Sequence, residues 1–176
     1  MKKAVFLDRD GTLIKDKQHL CDPKKIDLLH GVIEGLQKLR EKDFLLFIIT
    51  NQSGIGRGLF PESSVHNVHA ALQKKLEPHG ILFTDIFFCP HHPDDGCIYR
   101  KPSPHFVRLA EQKHDINLSK SFFIGDKDID AETGKNAGTK TICIQGSYNI
   151  AQTHLIDFLT CDFLSGVEWI LEHDQQ

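Results

Sequence analysis

Short apolar runs ending in polar or turn residues alternate along this chain with stretches whose apolar positions recur every three or four residues. Ala4–Leu7 ends at Asp8, 44–49 at Thr50, 86–88 at Cys89 and 121–124 at Gly125 and Asp126, and 141–144 makes a fifth run. Unbroken apolarity over so few residues, closed by turn formers, predicts strands covered on both faces. Between the runs, Val32, Ile33, Leu36 and Leu39 share one helical face, as do Val65, Val68, Leu72 and Leu76. Phe106, Val107, Leu109 and Ala110 begin a third helix, and Val167, Ile170 and Leu171 mark another over 166–173. Strand alternating with helix predicts an α/β fold, a doubly wound parallel sheet with helices on both faces. Ligands in such folds sit beyond the carboxyl ends of the strands, so the polar residues closing each run are the site candidates. No repeat and no Pro/Gly/Ser-rich linker divides the chain, and residues 1–176 read as a single domain.

Composition narrows the function. The 21 Lys and Arg against 24 Asp and Glu leave a formal charge of −3, without the basic excess that draws proteins to nucleic acid or anionic lipid, so small-molecule substrates are favoured. No apolar run approaches the length of a membrane span, and there is no secretion signal. Five cysteines, an odd number with Cys21, Cys143 and Cys161 scattered, suit a reducing cytoplasm better than a disulfide framework.

The first run closes on Asp8-Arg9-Asp10-Gly11-Thr12. As a plain turn this needs only the permissive backbone of Gly11. As chemistry it presents two carboxylates, one to attack an electrophile and one to move a proton, with a divalent cation offsetting their repulsion. The second run leads into Thr50-Asn51-Gln52-Ser53-Gly54-Ile55-Gly56-Arg57-Gly58, whose G-x-G-x-G spacing lacks the third glycine of a dinucleotide fingerprint. Hydroxyl and N–H groups of Thr50 and Asn51 suit phosphoryl oxygens instead. Arg100-Lys101-Pro102 supplies two cations ahead of a helix expected near Ser103, and Gly125-Asp126-Lys127-Asp128-Ile129-Asp130 supplies magnesium-type carboxylates or an acidic helix start.

Taken in order, the DxDGT run, the strand into Thr50, Lys101 and the GDKxxD run resemble the four motifs of haloacid dehalogenase superfamily phosphatases over nearly the whole chain. The resemblance implies a HAD-like Rossmannoid fold in which Asp8 is the nucleophile and Asp10 the acid/base. Thr50 and Lys101 would hold phosphoryl oxygens, and Mg²⁺ would bind Asp8, Asp126 and the backbone carbonyl of Asp10. Asp130 is expected to hold Lys127 or the loop rather than the metal. The stretches between motifs leave no room for a cap domain. The T-N-Q-S-G-I-G-R-G run resembles the D-glycero-D-manno-heptose 1,7-bisphosphate phosphatases of lipopolysaccharide and related carbohydrate pathways. That likeness brings Arg9, Asp16, Asn51, Gln52, Ser53, Arg100 and Lys127 forward as substrate contacts.

Cys89-Pro90-His91-His92-Pro93, Cys97 and the following Arg-Lys-Pro resemble the zinc loop those enzymes share with histidinol-phosphate phosphatases. Cys89, His91 and Cys97 are a soft ligand set suited to Zn²⁺, but Tyr99 stands at the fourth ligand position. His92 turning in, water, or a metal-free loop packed around Tyr99 are the alternatives. The function implied is a magnesium-dependent phosphomonoesterase, monomeric by default for one small domain, acting on a small phosphorylated sugar. Histidinol phosphate is the main alternative, since the spacing from Cys89 to Arg100 is short as in that group. A polynucleotide 3′-phosphatase or a non-enzymatic phosphate-binding module are further ones, and the presence of Asp10 argues against the last.

Overall fold

A computed structural model describes residues 1–146, 148 and 150–174. Strands β1 (Ala4–Leu7), β2 (Leu45–Asn51), β3 (Asp85–Cys89), β4 (Phe122–Gly125), β5 (Lys140–Ile144) and β6 (Phe158–Thr160) form one sheet in the order 3-2-1-4-5-6, with every pairing parallel. Helices α1 (Val32–Glu41), α2 (Glu62–Leu76), α3 (His105–His114), α4 (Asp128–Ala137) and α5 (Phe163–His173) make the crossovers and close the chain. The expected doubly wound α/β architecture is what the chain adopts.

Side-chain alternation along the strands sorts the core into two layers. Val5, Leu7, Leu46, Ile48, Phe122, Ile124, Ile142 and Ile144 face α1, α2 and α5, whose Leu36, Leu72 and Val167 are fully buried. Ala4, Phe6, Phe47, Ile49 and Phe123 face α3 and the end of α4. On this second face the rings of Phe123, Phe6, Phe47, Phe87 and Phe106 form a chain of neighbours, with centroids 6.4, 5.2, 6.5 and 5.2 Å apart. Offset ring pairs add about 0.5–1.5 kcal/mol each beyond the area they bury.

Three elements differ from expectation. β2 runs on through Thr50 and Asn51, paired with Phe88 and Cys89, so these residues belong to the sheet rather than to the loop beyond it. α3 begins at His105, two residues after Ser103. β6 was not anticipated: it has three residues, and Leu159 on this edge strand is exposed, so no apolar run or alternation marks it. Among the described residues, no helix is long and apolar enough to cross a membrane.

Candidate active site

The carboxyl ends of β1, β2 and β4 deliver Asp8, Thr50 and Asp126 to one edge of the sheet, and the segment between β3 and α3 brings Lys101 back over it. A turn follows Asp8, closed by Leu13 and Ile14 N–H groups donating to the Arg9 carbonyl. Gly11 enters it with φ +90°, and any side chain there would collide with the Asp126 carboxylate. Gly125 is required by a second close approach, because a Cβ would overlap the Asp130 side chain. The site motifs are thus packed backbone to carboxylate.

Lys101 is the electrostatic centre. Its buried Nζ donates to Asp8 Oδ1 at 2.5 Å and to Asp130 Oδ1 at 2.6 Å. Burial works against the ammonium, but the combined attraction of Asp130 and Asp8 outweighs it and holds Lys101 above the ordinary lysine range. Asp130 Oδ2 accepts from the backbone N–H groups of Asp126 and Lys127, so both its oxygens are engaged. It holds the loop, as expected, while the cation it holds is Lys101 and not the Lys127 ammonium. Asn51 clamps the Lys101 backbone from both sides, its Oδ1 accepting from Lys101 N and its Nδ2 donating to Lys101 O. Those bonds position Lys101, and Asn51 also lines both cavities of the site, where a substrate would meet it.

Asp8, Asp126 and Asp130 each place a carboxylate oxygen within 4.8 Å of the others. Among the described residues, Asp126 Oδ1 is buried with no partner. Burial, reinforced by the charges of Asp8 and Asp130, pushes Asp126 up to about 8. A buried acid group with an empty lone pair beside two other carboxylates is the donor chemistry of a hard divalent cation.

Asp10 has two unlike oxygens. Oδ2 accepts from Arg9 Nε at 3.0 Å and Gln52 Nε2 at 2.9 Å, with Arg9 Nη2 at 2.8 Å, whereas Oδ1 is buried and unpartnered among the described residues. Burial lifts Asp10 above the usual carboxylate range, against the pull of Arg9 and with a further push from Asp8. Gln52 also donates to Thr50 Oγ1 at 2.9 Å, tying acid and hydroxyl together. Arg9 is fully buried, its guanidinium spent on Asp10 and on His69, and it lines neither cavity of the site. The expectation that Arg9 touches substrate is therefore corrected: a cation beside two carboxylates lowers its energy by turning inward.

Asp8, Asp10, Thr50, Asn51, Lys101, Lys127, Ile129 and Asp130 enclose a pocket of about 60 Å³. It opens beside a polar cavity of about 370 Å³ with which it shares Asp10, Asn51, Lys127 and Ile129, further walled by Asp16, Gln18, His19, Gln52, Ser53, Arg100 and Tyr148. Asp16 Oδ2 accepts from Lys127 Nζ at 3.2 Å and from Tyr148 Oη at 2.9 Å, and the ammonium lies 4.2 Å from the Tyr148 ring centroid. Burial raises Asp16, but the Gln18 N–H, Lys127 and Tyr148 outweigh it and keep the carboxylate low. Burial opposes charge on Lys127 too, and Asp126, Asp8 and Asp16 together raise it above the usual range. Tyr148 and His69 escaped the sequence reading, since neither lies in a motif.

Apart from the acidic cluster, Cys89, His91 and Cys97 gather their ligand atoms within 4.8 Å of one another, with Cys89 Sγ 3.6 Å from Cys97 Sγ and 3.7 Å from His91 Nδ1. Tyr99 is not among them. Its ring sits 4.5 Å from His105 and 5.5 Å from Phe106, extending the aromatic chain of the core. His92 is turned away as well, its Nδ1 accepting from Asp94 N to cap a short turn.

Residues 3–163 match the family described as polynucleotide kinase 3 phosphatase. The D-glycero-beta-D-manno-heptose-1,7-bisphosphate 7-phosphatase of Yersinia pestis is 36% identical over 152 residues, 81% of each chain. The histidine biosynthesis bifunctional protein HisB of Legionella pneumophila is 36% identical over 150 residues, 84% of this chain but 43% of its own length. The crystal structure of D,D-heptose 1,7-bisphosphate phosphatase from B. bronchiseptica, complexed with magnesium and phosphate, superposes with a TM-score of 0.86 at 28% identity over 97% of this chain and 99% of that one.

Proposed function

The chain belongs to the polynucleotide kinase 3 phosphatase family and is a phosphatase of the haloacid dehalogenase superfamily; from that premise we propose that it removes the 7-phosphate of D-glycero-D-manno-heptose 1,7-bisphosphate. The observation that carries this reading is the pairing of a narrow phosphoryl pocket with a wider polar cavity that presents Arg100 and Lys127. A bisphosphate offers one anion to each. Histidinol phosphate brings an ammonium and an imidazole instead, and the acid in the wider cavity that would meet them, Asp16, is already bonded to Lys127 and Tyr148. The heptose bisphosphatases cover most of both chains, whereas the HisB relative is matched over less than half its length. A polynucleotide would meet a chain with a formal charge of −3.

In this reaction the transferred phosphoryl group occupies the narrow pocket beside Asp8 and Lys101, with the Thr50 hydroxyl on its oxygens. Asp8 attacks phosphorus and the ester P–O bond breaks, its electron pair leaving with the sugar oxygen. Asp10, whose burial favours the protonated form, donates through Oδ1, the oxygen without another partner among the described residues. A water deprotonated by the same atom then opens the aspartyl phosphate. Asp8 and Asp126, with the backbone carbonyl of Asp10, would hold Mg²⁺, and the unpartnered Asp126 Oδ1 fits that assignment. Bound there, the cation offsets negative charge on the transferring group. Arg100, Ser53 and Lys127 face the rest of the substrate.

Cys89, His91 and Cys97 fit three of the four ligands of a closed zinc site, and Zn²⁺ bound to them would brace the segment carrying Arg100 and Lys101. The same reading makes the enzyme a cytoplasmic monomer. Magnesium-dependent phosphate release from both anomers of the bisphosphate and from histidinol phosphate tests the assignment, with Asp8→Asn as the inactive blank. Preference for histidinol phosphate refutes the substrate, and turnover by Asp8→Asn refutes the nucleophile.

A further inference from the structure

His69 sits on α2 behind the site, and the reaction just described makes no use of it. Its ring is buried and packs edge-on to Phe88, with centroids 5.6 Å apart, and its Nε2 lies 3.0 Å from Arg9 Nη1. A guanidinium only donates, so Nε2 accepts and the ring proton is on Nδ1. Burial first, and then the Arg9 charge, lower His69 to about 3, so the ring is neutral whenever the enzyme works. Neutrality matters here. A carboxylate in this place would pair with Arg9 and draw its charge away from Asp10, whereas an imidazole satisfies Nη1 and leaves the charge free. On the remaining edge of the guanidinium, Nε donates to Asp10 Oδ2 and Nη2 lies 2.8 Å from it as an ion-pair contact.

We propose that His69 is a positioning residue for the proton transfer: acting through Arg9, it holds Asp10 with Oδ2 surrounded by donors and Oδ1 left to carry the proton to the leaving oxygen. An oxygen facing Arg9 Nε, Arg9 Nη2 and Gln52 Nε2 has no room for a proton of its own, so the carboxyl has one working atom. Without the acceptor on α2, Nη1 is a buried donor lacking a partner, and the guanidinium turns to find one at the expense of its grip on Asp10. The inference rests on the reading of Asp10 as the acid of the first step.

The leaving group makes it testable. A sugar alkoxide must be protonated as the P–O bond breaks, while p-nitrophenolate departs as the anion, so misplacing the acid harms one ester and spares the other. Phosphorylation of Asp8 is followed with enzyme in excess over heptose bisphosphate and, separately, over p-nitrophenyl phosphate. His69→Leu is expected to slow the sugar ester by about 10- to 100-fold and the aryl ester by no more than about 3-fold. His69→Gln, whose side-chain carbonyl accepts from Nη1, recovers most of the loss. Equal loss on the two esters, no loss on either, or a crystal structure of His69→Leu with both Arg9 contacts to Asp10 intact would overturn the proposal. Should the leucine variant fail to fold, His69→Asn, too short to reach Nη1, takes its place. The wild-type enzyme reports separately on substrate: if it prefers another alkyl phosphate, the heptose assignment fails, and the alkyl-to-aryl comparison is made on that ester.

Discussion

Asparagine in place of Asp126 removes a charge that the metal-free fold holds at a cost. The carboxyl is buried against Asp8 and Asp130 and rises from 3.8 to about 8, so in the absence of a cation the folded chain takes up a proton that the unfolded chain releases. A raised carboxylate makes stability fall as pH climbs from the unfolded value toward the folded one, by about 1.4 kcal/mol for each pH unit. At pH 5 the deficit is about 1–2 kcal/mol and at pH 7.5 about 5 kcal/mol. Asp126→Asn has no such slope. With EDTA present, the variant is expected to melt above the wild type at pH 7.5 by about 10 °C or more, and at pH 5 by only about 3–6 °C, from the usual 2–4 °C per kcal/mol at this chain length. Adding Mg²⁺ raises the wild-type midpoint, more so at the higher pH, because the cation replaces the proton. The same addition leaves the variant nearly unmoved, and it is inactive. Thermal unfolding followed through Trp169 fluorescence reads all of these. Parallel midpoints for wild type and variant from pH 5 to 7.5 in EDTA, or equal magnesium increments in both, would refute the reasoning.

Lys101→Met leaves Asp8 and Asp130 buried without their common cation and is expected to cost about 3–5 kcal/mol in urea unfolding at neutral pH, part of which Asp130→Asn restores in the double variant. Arg100→Ala is expected to raise KM for the bisphosphate about 10-fold or more while barely changing hydrolysis of p-nitrophenyl phosphate, which has no second anion; equal effects on the two would remove Arg100 from the substrate cavity. Tyr99→Cys offers the missing ligand beside Cys89, His91 and Cys97, and competition with a chromophoric chelator is expected to show Zn²⁺ held at least about 10-fold more tightly than by the wild type, with Co²⁺ spectra gaining a third thiolate band contribution.

The sequence by itself determined five of the six strands, the sheet edge and the charged groups of the site. An apolar run closed by a polar residue reports burial directly, so Asp8, Thr50 and Asp126 were legible as strand-end residues, and Lys101 was legible from its motif. What each group bonds to was decided only by the tertiary structure. Lys101 finds Asp8 across 93 residues, Arg9 finds His69 across 60 and Tyr148 finds Asp16 across 132. These partnerships follow from the strand order 3-2-1-4-5-6, which no local pattern encodes. The same limit explains Arg9, which in sequence looks like an exposed cation of the catalytic turn. In the fold it is fully buried, because a carboxylate and an imidazole arriving from α2 offer it more than the open cavity does. Tyr99 is the reverse case: its departure from the ligand pattern was visible at once. Its destination depended on Phe106 standing at the end of a row of rings that five separate segments assemble, and side-chain packing of that kind exists only once the layers have met.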